Sequence, residues 1–504
     1  MKKPIITILI GCLFFTVAFA QQTATLSIGD SSGQHISKYI YGQFAEHLGR
    51  CIYDGFYRDG KIRMDVVDAM KEIKVPLLRW PGGCFADNYH WMDGIGPKKK
   101  RPAIVNTQWG MVTDDDSFGT DEFMQLCRLI GCDPYVAGNV GTGTPAEMES
   151  WVEYLNYDGN SAMAKLRAKN GHAAPYHVPF FGIGNESWGC GGRMTPEDYA
   201  NKYRTFANFV KSYPGSPVQR MVSGANADDY HWTEVMLRNI PLWEMQGIGV
   251  HYYTLVDNQW GHGSATVFDE EQYFRALKNC LFIKELIEKH SAIMDKYDPQ
   301  RKVFLAIDEW GISLKPEPGT NPNFLYQQNS LRDALIAATT LNIFNNHCAR
   351  VRMANLAQAV NVLQALVLTK ENQMLKTPTW YVFDLYKDHQ NAQWLPIHLT
   401  TPGYTYHDQS IPAVNASASK NSAGAVHITL VNLDAHQSIK VDAQIKAQGK
   451  LSGQILTSAH FDDINTFERP DEVKTVAYTD ATLNNGQLTA TLPPMSVVEI
   501  TIQP

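Results

Sequence analysis

The chain has 504 residues, which points to two or three domains, although a (β/α)8 barrel takes about 250 residues by itself. Hydrophobic residues at 44% and charged residues at 19% are ordinary globular proportions and exclude a disordered chain. The formal net charge of −7 disfavours nucleic acid and anionic membranes as partners.

Residues 1–20 read as a cleaved secretory signal. Lys2 and Lys3 precede an apolar run over 5–19, and Ala18-Phe19-Ala20 offers a small-x-small cut before Gln21. A secreted or periplasmic mature protein follows, and removing the two lysines takes the net charge from −7 to −9. Leu9-Ile10-Gly11-Cys12 resembles a lipoprotein box, but the apolar run continues past Cys12, which favours the cleaved signal. No later stretch is long enough to span a bilayer. The eight cysteines lack CxxC spacing, so they read as scattered, mostly buried thiols rather than a disulfide framework; Cys84 and Cys190 matter for the motifs around them.

Thr23 opens a strand-like stretch to residue 28, and residues 21–39 are expected to pair with a C-terminal sheet. From 40 to 385, apolar strands alternate with amphipathic helices. The strands are predicted at 40–46, 77–81, 135–139, 180–186, 221–225, 248–253, 304–309 and 351–358. Helical patterns fall between them at 65–73, 121–130, 196–211, 274–290 and 330–345. Thr195-Pro196-Glu197-Asp198 supplies a capping hydroxyl, a first-turn proline and acids at the positive helix end. Eight strands with their crossovers is the count of a (β/α)8 TIM barrel, an α/β fold. Residues 386–504 instead alternate with period two at 425–433, 438–445 and 487–492, and Asn484-Asn485-Gly486 marks a turn. This predicts a C-terminal antiparallel β-sandwich.

Active sites in such barrels lie at the C-terminal strand ends. Read in order, those ends carry Glu46-His47, Arg79, Asn139, Asn185-Glu186, His251-Tyr252-Tyr253, Asp308-Glu309 and Gln358. Glu186 and Glu309 each follow an apolar strand, where a carboxylate is costly unless it lies at an open rim with partners. On strands four and seven they share one mouth. A retaining glycosidase needs two carboxyls about 5–5.5 Å apart, one to protonate the leaving oxygen and one to attack the anomeric carbon. The expected roles are acid/base for Glu186, kept protonated by its surroundings, and nucleophile for Glu309, kept ionised by donors such as Arg79 or a tyrosine. Asn185 is placed to hold a sugar 2-hydroxyl.

Six stretches taken jointly are specific: Ile40-Tyr41-Gly42-Gln43-Phe44-Ala45-Glu46-His47-Leu48-Gly49, Leu78-Arg79-Trp80-Pro81-Gly82-Gly83-Cys84, Ile183-Gly184-Asn185-Glu186, His251-Tyr252-Tyr253, Asp308-Glu309-Trp310 and Ala354-Asn355-Leu356-Ala357-Gln358. With them the chain resembles glycoside hydrolase family 51, the α-L-arabinofuranosidases, over nearly all of its mature length. The resemblance implies that Glu186 is the acid/base and Glu309 the nucleophile. It also implies that Glu46, Arg79, Asn185, His251, Tyr253 and Gln358 bind the arabinofuranosyl ring, with no metal or organic cofactor. The expected substrate is an arabinose-containing plant oligo- or polysaccharide, cleaved from its terminus. A homo-oligomer is expected, the family often forming hexamers.

Asn355 and Asn361 share the chemistry of Gln358, and Trp109 suits a sugar-stacking wall and core packing equally. The chain departs from the family in carrying Asp114-Asp115-Asp116 ahead of Phe118-Gly119-Thr120; a solvated loop is the favoured reading over an altered subsite or a cation site. Endoglucanase or β-xylosidase action is the alternative within the family, and a non-catalytic carbohydrate-binding protein the alternative outside it. A metal-dependent barrel would need a ligand cluster such as His-x-His after strand one, and the sequence has none there.

Overall fold

A computed structural model describes residues 22–504; the proposed signal and Cys12 lie outside these residues. Eight parallel strands close into a barrel in chain order: β1 (Gly42–Phe44), β2 (Leu77–Trp80), β3 (Asp133–Gly138), β4 (Phe180–Ile183), β5 (Gln219–Asn226), β6 (Gly247–Leu255), β7 (Phe304–Ser313) and β8 (Val351–Ala357). Each is followed by at least one helix, the last being Pro378–Tyr386. Strands buried on both faces read as continuous apolar runs, and all ten residues of β7 are buried. Leu77, Tyr135, Phe180, Met221, Phe304, Ala306 and Met353, drawn from strands β2, β3, β4, β5, β7 and β8, pack as one layer that plugs the barrel interior. Polar groups therefore collect above this plug, near the C-terminal rim.

Two predicted strands are shorter than the apolar pattern suggests. Residues 38–41 form a 3-10 turn ahead of β1. β4 stops at Ile183 because Gly184 takes φ +87°, where a Cβ would also meet Val140 Cγ2 at 2.5 Å.

The C-terminal domain packs a five-stranded sheet with a six-stranded one. The N-terminal strand Gln22–Ile28 lies inside the five-stranded sheet, antiparallel to Ile397–Thr400 and parallel to Ile439–Gln444. The domain is thus antiparallel except for this one pairing. Ala24, Leu26 and Ile28 face inward by simple alternation. Leu26→Ala is expected to cost about 2–5 kcal/mol, read as a lowered urea midpoint; an unchanged midpoint would show that the strand adds nothing to stability.

Helix Leu331–Asn346 is buried along nearly its whole length, so its sequence has no polar face. Its Asn342 Oδ1 accepts from Ser417 Oγ at 2.8 Å and Thr429 Oγ1 at 2.7 Å, tying barrel to sandwich through buried hydrogen bonds. Among the described residues no helix is long and apolar enough to cross a membrane.

Candidate active site

A cavity of about 500 Å³ opens at the C-terminal rim, lined in part by Glu46, Trp109, Glu186, Tyr253, Glu309 and Gln358. Its floor is a chain of charged hydrogen bonds. Tyr135 donates its hydroxyl to Asp308 Oδ2 at 2.9 Å, and Asn355 Nδ2 donates to Oδ1 at 2.9 Å. Arg79 Nε lies 3.7 Å from Asp308, while its Nη1 donates to Glu309 Oε1 at 2.8 Å and its Nη2 to Asn185 Oδ1 at 2.6 Å. One fully buried guanidinium thus orients two rim side chains and sets its positive charge between two carboxylates, Asp308 and Glu309.

Glu309 takes its second donor from above, the Tyr253 hydroxyl at 2.7 Å on Oε2. Burial alone would push this carboxyl up, but His251, Arg79 and the Tyr253 hydrogen bond outweigh it and hold it below the ordinary glutamate value. His251 Nδ1 sits between the two glutamates, 3.0 Å from Glu186 Oε1 and 3.6 Å from Glu309 Oε2. Burial disfavours its protonation, yet Glu309 and then Glu186 raise its pKa overall. One oxygen of Glu186, one of Glu309 and this nitrogen all fall within 4.8 Å of one another.

Glu46 lines the same cavity. It accepts from Phe85 N at 3.0 Å, Trp109 Nε1 at 2.8 Å and Gln358 Nε2 at 3.0 Å. Burial, then the charge of Glu309, nevertheless push it up to about 7. Gln358 Oε1 is buried without a partner among the described residues. Asn355 turns down to Asp308, and Asn361 donates to Thr369 Oγ1 and the Arg50 carbonyl, so Gln358 alone of the three lines the cavity. Trp109 is a cavity wall that also holds Glu46. Asn139 serves its own loop, donating to the Tyr89 carbonyl and Thr142 Oγ1.

Glu186 is carried on a strained turn. Its φ of +39° lies in the left-handed region, which costs a non-glycine residue on the order of 1 kcal/mol or more. Gly189 N and Gly191 N both donate to the Glu186 carbonyl, at 2.7 and 3.1 Å, closing the turn. Asp87, another buried acid, accepts from Asn185 N at 2.9 Å and from Val140 N and Gly141 N, locking the turn to the end of β3.

Two expectations need correction. Cys84 and Cys190 are not thiols; they form a disulfide across 106 residues of sequence, joining the loops after β2 and β4. Cys51, Cys127, Cys132, Cys280 and Cys348 are free. The stretch Asp114-Asp115-Asp116 is not a solvated loop: only Asp115 is exposed. Asp114 accepts from the Tyr53 hydroxyl at 2.5 Å and lies 2.7 Å from His47 Nδ1, beneath Glu46. Burial opposes its charge, but His47 foremost keeps its pKa low. Its oxygens are taken by protein partners, so it braces the site from behind. Asp308 was placed at the rim but, like Asp87 and Tyr135, was given no role, because the partners of a buried polar group come from distant strands.

The same architecture recurs in known proteins. The family model described as α-L-arabinofuranosidase 1 domain matches residues 69–272, and that described as α-L-arabinofuranosidase C-terminal domain matches 308–496. The GH51 arabinofuranosidase structure from Xanthomonas axonopodis pv. citri superposes with a TM-score of 0.93 at 45% identity, covering 96% of this chain and 100% of that one. The chain belongs to the glycoside hydrolase family 51 α-L-arabinofuranosidases. A relative from Bacteroides ovatus, called an intracellular exo-α-L-arabinofuranosidase, is 46% identical over 497 residues, with 96% of each chain covered. The α-L-arabinofuranosidase of Thermotoga maritima, solved with arabinose, superposes with a TM-score of 0.84 at 31% identity, covering 96% of this chain and 100% of that one.

Proposed function

We propose that this arabinofuranosidase removes terminal α-L-arabinofuranosyl groups from arabinose-containing plant glycans, with net retention, through a covalent intermediate on Glu309. The observation that carries the reading is the close approach of the two glutamates, within 4.8 Å between one oxygen of each. Inverting enzymes hold their carboxyls about 6.5–9.5 Å apart to leave room for a water. The nearest oxygens here approach more closely than that, which supports the retaining reading.

In the first step Glu186 donates its proton to the glycosidic oxygen while Glu309 attacks the anomeric carbon. In the second, Glu186 takes a proton from water as that water displaces Glu309. Arg79 and Tyr253 keep Glu309 anionic and aimed, and His251 Nδ1 stands between the two carboxyls. Asn185 offers its amide to the sugar 2-hydroxyl, Gln358 offers its unpartnered oxygen to another hydroxyl, and Glu46 closes the polar pocket around the ring. Trp188 and Trp260 also line the cavity, where an apolar rim suits the leaving sugar. The mechanism requires no metal or organic cofactor.

We also place the mature enzyme outside the cytoplasm, as a secreted or periplasmic protein. Two independent features support this: the leader-like pattern before Gln21, and a disulfide, which persists in oxidising compartments. The Bacteroides ovatus relative carries the opposite description. Amino-terminal sequencing after cell fractionation decides it: Gln21 as first residue of a periplasmic or secreted form is expected, and an intact cytoplasmic Met1 form refutes export.

Retention is tested by proton NMR of the first sugar released from 4-nitrophenyl α-L-arabinofuranoside. The α-anomer is expected, and initial β-anomer would overturn the double displacement. Preference for a β-xyloside or a β-glucan would instead overturn the substrate.

Tyr253→Phe removes one of the two donors to Glu309. A hydrogen bond to a charged group is worth about 1.5–3 kcal/mol, so kcat/KM is expected to fall about ten- to a hundredfold. Because the lost donor stabilised the anion, the carboxyl titrates at higher pH and the acid limb of kcat/KM moves up. An unmoved acid limb would separate Tyr253 from the ionisation of Glu309.

A further inference from the structure

The carboxyl of Glu186 is gripped from two sides. Oε1 faces His251. Oε2 faces the disulfide, with Cys190 Sγ at 3.4 Å and Cys84 Sγ at 3.9 Å, and among the described residues it has no N–H or O–H donor. Asn185 Nδ2 also lies 4.0 Å from Cys190 Sγ. Disulfide sulfurs carry no proton, so these are packing contacts; they fix where the carboxyl sits without ionising beside it. The bridge is also a covalent tie on the strained turn that bears Glu186, joining it to the loop that packs on Glu46.

We infer that the Cys84–Cys190 disulfide is a positioning element for the acid/base carboxyl, and that its reduction by a small thiol selectively weakens proton donation to poor leaving groups. The inference rests on Glu186 being the acid/base. Both cysteines are half-buried, and Cys84 lines the catalytic cavity, so a small thiol reaches the bridge through the mouth that admits substrate.

The chemistry balances as ordinary exchange. A thiolate attacks one bridge sulfur, forming a mixed disulfide and releasing the other cysteine as a thiolate, which takes up a proton. A second thiol group then attacks the small-molecule sulfur of the mixed disulfide and expels the remaining protein cysteine as a thiolate, leaving two protein thiols and one small-molecule disulfide; two electrons pass from the reductant to the bridge. Two separate thiols no longer pin the turn, and each adds an ionisable group against Oε2. Misplacing a catalytic group by about 1 Å costs on the order of a hundredfold. A carboxyl that loses only part of its alignment should lose less.

The test uses the whole enzyme with and without dithiothreitol, followed by removal of the reductant. Native thiol titration is expected to count two more thiols after reduction. With them, kcat/KM on an arabinofuranosyl disaccharide, whose alkoxide must be protonated to leave, should fall about tenfold or more. The 4-nitrophenyl glycoside, whose phenolate leaves unaided, should change in kcat/KM by less than about twofold. Reoxidation should restore the disaccharide rate, and Cys84→Ser/Cys190→Ser should match the reduced enzyme and ignore the thiol. If that variant does not fold, the reduced and reoxidised wild type still decide. Failure of the bridge to reduce in the folded enzyme, an unchanged rate ratio after reduction, or an equal fall on both substrates each overturns the inference. Glu186→Ala provides the separate control. If that variant shows the leaving-group bias and the reduced enzyme does not, only the disulfide's role fails. If neither shows it, the acid/base assignment itself fails.

Discussion

Glu309→Ala is expected to lower kcat/KM on 4-nitrophenyl α-L-arabinofuranoside by about 10⁴-fold or more, equivalent to roughly 5.5 kcal/mol of lost transition-state stabilisation. The fold should survive, because the remaining charge is still compensated: Arg79 keeps Asp308 at 3.7 Å and its hydrogen bond to Asn185. The vacated space lies against Arg79 and Tyr253, two donors that formerly held an anion. Azide fits that description. It should restore turnover by attacking the anomeric carbon directly, and one displacement gives the inverted β-arabinofuranosyl azide. Recovery of α-azide, or retention of ordinary activity without azide, would sink the nucleophile assignment.

Glu186→Ala should behave differently in kind. General acid/base groups contribute about 10²–10⁴-fold, and loss on this scale is expected with disaccharides. The 4-nitrophenyl glycoside still forms the glycosyl-enzyme, but no base then activates water, so a burst of nitrophenolate followed by slow turnover is expected. Azide needs no base. It should release the intermediate from the face Glu186 has vacated and give α-arabinofuranosyl azide, with configuration retained. If the two variants exchanged their azide products, the roles of Glu186 and Glu309 would be reversed.

Features governed by local pattern were legible in the sequence. Buried parallel strands are continuous apolar runs, so Glu186 and Glu309 stood out as carboxylates following such runs. The predicted end of the seventh strand at 309 was too early, since β7 continues past Glu309 to Ser313, and Glu186 lies beyond β4, which stops at Ile183. The strand-like stretch from Thr23 to residue 28 is likewise a strand, and the structure shows its alternate residues buried. Features set by approach in space were not legible. Nothing in the spacing of Cys84 and Cys190 brings them together; the barrel does, by letting the loops of β2 and β4 meet across the end of β3. Asp114 looks hydrophilic in sequence, but it is buried with His47 and Tyr53 turned toward it from the loop after β1. Gln358 was distinguished from Asn355 and Asn361 only by where each side chain points.

The strand Gln22–Ile28 has a consequence for how the enzyme is made. It leaves the ribosome before any strand of the barrel, yet its parallel partner begins at Ile439, 417 residues later by subtraction from Gln22. Through most of synthesis, therefore, it presents two unpaired backbone edges and an apolar face with nothing to cover them. Such edges recruit other chains. The barrel, whose strands pair mostly with sequence neighbours, can assemble while the sandwich waits, so the domain translated around it closes last. Slow or stalled elongation after Tyr386 should then hold the nascent protein in an aggregation-prone form whose catalytic half is already built, and chaperone demand should peak there rather than during barrel synthesis.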